Sequence, residues 1–203
     1  IGTDYLDIYF CHRYDSETPL EETVRAMDDL VHHGKILYWG TSEWSGAQIA
    51  SAVRLAREHN LYPSQVEQPG YNLLRRDRVE TDVLPVAEAN GVGLTTFSPL
   101  SSGVLTGKYD EGIPEGSRMA RNERMQERFT DKVRKQIMQL RPIADDLGIT
   151  RAQLALAWIL RHPAVSSVIT GATRVAHVES NVKAAGVEID QEIIERINEI
   201  FPR

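Results

Sequence analysis

A chain of 203 residues, 41% hydrophobic and 26% charged, has the size of one domain and enough apolar side chains for a single sizeable core. Its 23 Lys and Arg against 29 Asp and Glu leave a net charge of −6 with the signs interspersed, and no basic block tracks a phosphodiester backbone or an anionic membrane. Cys11 is the only cysteine, no apolar run reaches the ~20 residues of a membrane helix, and the first residues lack the layout of a secretory leader. The expected partners therefore include neither nucleic acid nor a membrane, and a reducing cytoplasm is the expected setting.

The first β-rich run, Leu6 to Cys11, ends at His12. Thr18-Pro19-Leu20-Glu21 then reads as a capping box with proline at the first helical position, and Gly34 stops that helix after Val31 to His33. A second run, Ile36 to Thr41, is followed by Ser42, and Ser45-Gly46-Ala47-Gln48 repeats the box before a helix over Ile49 to Arg57. Ser64 to Gln68 and Val92 to Phe97 are the third and fourth runs. Beyond them, Ser98 to Gly103 and Gly107 to Gly116 sustain no helix. A long loop is predicted there, running through the charged stretch Arg118 to Arg128 to a helix capped by Thr130, and it fits a closing flap. Thr150-Arg151-Ala152-Gln153 boxes the helix over Leu154 to Leu160, Ser166 to Thr170 is the fifth run, and Gly171-Ala172-Thr173-Arg174 leads into another helix. The last element is amphipathic, Asp190 to Ile200, with Ile193, Ile194, Ile197 and Ile200 at helical spacing. Strands alternating with helices predict an α/β fold built on a parallel sheet.

Several residues have two readings at this level. His12 is either a structural histidine or a group placed where chemistry gathers at a strand end. Ser42 is a turn cap or a polar ligand, Gln68 a turn residue before Pro69 or a ligand, and Phe97 core or a stacking ring. The small residues from Ser98 to Gly107 form either an ordinary flexible loop or one that lets backbone N–H groups approach a pyrophosphate. Trp39, Trp44 and Trp158 are expected in the core or at its rim, with Trp44 also a candidate to line a substrate pocket. The His32-His33 pair ends a helix without ligand partners at metal spacing, so no metal is predicted.

The succession Gly2 to Tyr9 with His12, then Gly40-Thr41-Ser42, Val66-Glu67-Gln68, Phe97-Ser98-Pro99-Leu100 with Gly103 to Tyr109, and Gly171-Ala172-Thr173 through Asn181 resembles the aldo-keto reductases along the whole chain. The Gly40 to Ser45 run and the Lys108 to Pro114 loop are similar to the branch containing voltage-gated potassium channel beta subunits and their bacterial relatives. The resemblance implies a (β/α)8 TIM barrel. Five βα units are too few to close one, so residues 1–203 are expected to be a single barrel domain holding strands 4 to 8, with strands 1 to 3 missing. A complete five-stranded doubly wound domain is the competing architecture.

The resemblance further implies NADPH-dependent reduction of aldehydes or ketones to alcohols by direct hydride transfer, with His12 polarising the carbonyl oxygen. It implies NADP(H) as cofactor, held at the nicotinamide end by Ser42, Glu43, Gln68 and Phe97, and along the phosphates by Ser98, Leu100, Gly103, Thr106, Lys108 and Arg118. Gly171, Thr173, Arg174, His177 and Asn181 take the adenosine end in the same reading. The family's proton-donating Tyr, with its Lys and Asp, comes from earlier strands and has no match in this chain, which is expected to be inactive alone. A carbonyl substrate and a second copy of the chain are the expected partners. The alternative is an NADPH-binding, redox-sensing regulatory subunit with slow turnover.

Overall fold

The computed structural model describes residues 2–203. Five strands form one sheet in consecutive order: β1 (Leu6–Cys11), β2 (Ile36–Ser42), β3 (Val66–Gln68), β4 (Gly93–Thr96) and β5 (Val165–Val168). β1 to β4 pair in parallel, and Leu94 N–H reaches the Ala164 carbonyl at 2.7 Å at the start of β5. Between and after them lie α1 (Leu20–His32), α2 (Gly46–Glu58), α3 (Leu84–Asn90), α4 (Glu123–Arg128), α5 (Asp131–Asp146), α6 (Arg151–Leu160), α7 (Val175–Val182) and α8 (Gln191–Ile200). The α/β class and parallel sheet expected from the sequence are present.

The chain packs as two compact units. The first comprises the chain through Gly70 with Asp77–Phe97 and Ala164–Ser167; the second comprises Tyr71–Arg76, Ser98–Pro163 and Val168–Arg203. In the first unit, α1, α2 and α3 bury Val24, Ile49, Val53 and Leu84, and β2 buries Trp39. Gly40 is fixed by this packing, because a Cβ there would lie 2.5 Å from the Val66 carbonyl oxygen on the neighbouring strand. Ser45 caps α2 through a complete box with Gln48. Thr18 does not cap α1. Its hydroxyl donates instead to Asp15 Oδ2 at 2.8 Å, and Pro19 takes the N-cap place with no side-chain bond. A five-residue π-helical turn, Val79–Val83, leads into α3 and carries Asp82, whose carboxylate accepts from Gly46 N–H at 2.9 Å.

The second unit centres on Trp158 of α6, which is fully buried, with the Arg161 guanidinium 3.9 Å and the Arg76 guanidinium 4.8 Å from its ring and Tyr71 at 5.1 Å. Thr150 boxes α6 with Gln153, Thr130 caps α5, and Asp190 caps α8. Two corrections fall in the segment expected to be helix-free. Ser101–Thr106 is a 3-10 segment, broken where Ser102 and Gly103 take positive φ, and Glu123–Arg128 is a short helix capped by Asn122. A 3-10 turn needs only i to i+3 bonds, and Asn122 gives α4 a start that its charged composition conceals. The expected flap is anchored at two buried side chains, Tyr109 and Met119. No helix among the described residues is long and apolar enough to cross a membrane.

Candidate functional site at the strand ends

In the first unit, the C-terminal ends of β1 to β4 carry the polar residues singled out from the sequence. Parallel register sets Cys11 against Thr41, Thr41 against Glu67, and Ser42 against Gln68. His12 follows β1 directly and is exposed. Cys11 beside it is no nucleophile at neutral pH, because burial pushes its thiol up to about 11. Ser42 is buried and donates to the Gln68 carbonyl at 3.0 Å, which leaves its oxygen lone pairs as acceptors. The Gln68 amide reaches Thr95 Oγ1 at 3.5 Å. Phe97 lies just past β4, half-buried, tied by its N–H to the Pro69 carbonyl at 3.0 Å and bridged in parallel to Gly70.

Glu43 has a left-handed backbone (φ 59), and its carboxylate accepts from Gly70 N–H at 2.6 Å and pairs with Arg78 at 3.2 Å. Arg78 also donates to the Trp44 carbonyl at 2.9 Å. Trp44 is 1% exposed and meets the Tyr14 ring edge-on at 4.8 Å, so it belongs to the core rather than to an open pocket wall.

Sequence reasoning overlooked Thr41 and Glu67. Both are fully buried, and Thr41 Oγ1 donates to Glu67 Oε2 at 2.6 Å while Oε1 has no hydrogen-bond partner. Burial pushes the Glu67 carboxyl up to about 7, opposed by the Thr41 hydroxyl, the Arg78 charge and the backbone N–H groups of Glu43 and Trp44. The readable signal was a Glu inside an apolar strand run, one residue from a residue already singled out.

The second unit holds the remaining candidates in two groups. Ser98 has positive φ, and its carbonyl accepts from Asn72 Nδ2 at 2.9 Å. Leu100 precedes the 3-10 segment, in which Thr106 Oγ1 donates to the Gly103 carbonyl at 2.7 Å and accepts from Lys108 N–H at 3.3 Å. Lys108 folds back over Tyr109, with Nζ 4.8 Å from the ring centroid and 2.8 Å from where a Gly103 Cβ would stand. Gly107 has a positive φ, and a Cβ there would displace the Arg151 guanidinium, which pairs with Asp110 at 2.7 Å. Arg118 is exposed.

The second group stands at the start of α7. Gly171, Thr173, Arg174 and His177 are exposed, Asn181 is half-buried, and Arg174 occupies the N-cap position without a side-chain cap. The first-turn N–H groups of α7 thus lack a side-chain acceptor and carry the partial positive charge of a helix start.

A consecutive parallel βα sheet thus brings a histidine, a serine, a glutamine and an aromatic ring to the C-terminal ends of β1 to β4. The Aldo/keto reductase family model matches residues 1–201, and the chain belongs to that family. Among curated relatives it is 51% identical over 191 residues to a probable voltage-gated potassium channel subunit beta of Arabidopsis thaliana, covering 92% of this chain and 58% of the relative. A probable subunit beta of Oryza sativa subsp. japonica is 48% identical over 207 residues, 98% of this chain and 63% of the relative. A putative subunit beta of Schizosaccharomyces pombe is 42% identical over 208 residues, 99% of this chain and 60% of the relative. The chain spans about three-fifths of the length of these relatives.

Proposed function

We propose that the protein reduces aldehydes or ketones to alcohols with NADPH, and that the five strands are the fourth to eighth of a (β/α)8 barrel. The strand assignment is supported by the consecutive strand order, the family match and the greater length of the relatives. The observation that carries the functional reading is the register of Ser42 with Gln68 at the ends of β2 and β3. These side chains offer acceptor and donor atoms that match a carboxamide, which has both an NH2 and a carbonyl. Phe97, half-buried just past β4, offers a ring face for a flat heterocycle.

When bound, NADPH supplies the hydride that goes to the carbonyl carbon. The chain's own residues bind and orient. Ser42 and Gln68 hold the amide, with Glu43 shaping the turn between them through Gly70 and Arg78. His12 donates to the substrate oxygen as negative charge develops there, which favours the transition state over the ground state. In the second unit, Thr173, Arg174 and the uncapped N–H groups of α7 suit a phosphate, with Gly171, His177 and Asn181 alongside. Ser98, Leu100, Gly103, Thr106, Lys108 and Arg118 are assigned to the pyrophosphate and its approach. The Asp, Tyr and Lys of the family's proton-transfer step have no assigned counterpart here, so turnover is expected of the full-length protein.

The test is a titration of the full-length protein with NADPH followed by turnover with an aromatic aldehyde. Fluorescence quenching on binding and a fall in kcat of about 100-fold or more in His12→Ala are expected; full activity in that variant overturns its role. The likeness to potassium channel beta subunits supports a second reading, in which the protein is an NADPH-binding regulatory subunit. Tight cofactor binding with very slow turnover would select it.

A further inference from the structure

Thr41 and Glu67 face each other across β2 and β3, each one residue before Ser42 and Gln68. Successive side chains of a strand point to opposite faces, so the buried pair lies on the reverse side of the sheet from the two amide ligands. A buried carboxyl with an oxygen lacking a hydrogen bond is costly, and an apolar side chain of similar size would stabilise the fold better. Its partners are informative. The Thr41 hydroxyl donates to Oε2 at 2.6 Å, and the backbone N–H groups of Glu43 and Trp44, in the turn that Ser42 opens, favour its charged form.

The groups around it are few. From β2 comes the neutral Thr41, from β1 the Cys11 thiol in register with Thr41 and kept protonated by burial, from β4 the apolar Leu94 in register, and from the segment before the π-helical turn Arg78, whose charge is shared with Glu43 at 3.2 Å. With one partly neutralised cation nearby, burial prevails, and the carboxyl sits at about 7. It therefore changes charge near neutral pH.

We propose that Glu67 is a positioning residue for the carboxamide end of the cofactor: through Thr41 and the Glu43–Trp44 backbone it fixes the cross-strand placement of Ser42 and Gln68, and proton uptake by its carboxyl loosens that hold. The inference rests on the cofactor reading above. An ionised Glu67 accepts from Thr41 and is favoured by the N–H groups of the Glu43–Trp44 turn; a protonated one needs an acceptor for its own hydrogen and competes with the arrangement that presents Ser42.

The experiment is NADPH binding by the full-length protein between pH 6 and 8.5, comparing wild type with Glu67→Gln. The cofactor's own phosphate titrates alike in both and cancels in the ratio of affinities. That ratio is expected to change by about fivefold across the range, with wild-type binding tightening relative to the variant as pH rises. A flat ratio overturns the proposal, because a purely structural role moves stability without moving the pH dependence of binding. Thr41→Val removes the hydroxyl that favours the charged form, so the midpoint of the pH-dependent step moves to higher pH; an unmoved midpoint overturns the proposal even if Glu67→Gln does not fold. Absence of binding by wild type at every pH sinks the cofactor reading itself, whereas binding with parallel profiles sinks only the role of Glu67.

Discussion

The ends of β2 and β3 and the start of α7 solve the problem of holding a ligand in opposite ways. At the strand ends, Thr41, Ser42 and Glu67 are buried and bonded chiefly to one another and to nearby backbone, so the geometry exists before any ligand arrives. At α7, Thr173, Arg174 and His177 are exposed and the helix start has no side-chain cap, so its geometry is not held by a network of this kind. Substitutions in the first region should register as stability, and those in the second as affinity.

Trp44 offers the sharpest break. It is buried beside the Glu43 turn, and Trp44→Ala should cost about 3–5 kcal/mol in denaturant unfolding; a loss near zero would mean that the turn does not depend on its packing. Glu67 comes next. Its carboxyl sits at about 7 in the fold against an ordinary 4.5, so its stabilising contribution is complete below pH 4.5 and is lost as pH rises through 7. The swing is about 3 kcal/mol, and Glu67→Gln should flatten the stability profile across that window.

At α7 the expectation reverses. Arg174→Ser supplies a cap, so the fold should gain up to about 1 kcal/mol. NADPH affinity should fall about tenfold while NADH affinity changes little. Equal losses for the two nucleotides would remove Arg174 from the 2′-phosphate. Ser45→Ala, which deletes the cap of α2, should cost about 1 kcal/mol. Smallest of all is Thr173→Ala, with a stability change within about 0.5 kcal/mol by thermal unfolding.

The same contrast explains what could be read from sequence. Ser45 with Gln48 and Thr150 with Gln153 were legible because a capping box is complete within four residues, and both form as read. Thr18 shows the limit of that rule: the motif was present, but Asp15 three residues earlier offered the hydroxyl a carboxylate. The helix Glu123–Arg128 buries no side chain, so it leaves no apolar periodicity in the charged stretch that hides it. The strand runs were legible to within two residues at most ends, since their apolar side chains outlast their backbone ladders. The Thr41–Glu67 bond joins positions 26 residues apart, and nothing local announces it; only the register of two parallel strands brings the pair together. The α7 residues were legible as a motif, but their lack of a cap was not.

One contact in the second unit bears on handling. Arg76 is 4% exposed and donates to the carbonyl of Phe201 at 2.9 Å, while the Phe201 ring is itself buried. Truncating the Phe201 side chain would leave a ring-sized void next to the backbone carbonyl that this submerged guanidinium uses. Heat tolerance of the second unit should therefore hinge on this ring, and Phe201→Ala is expected to lower the thermal midpoint.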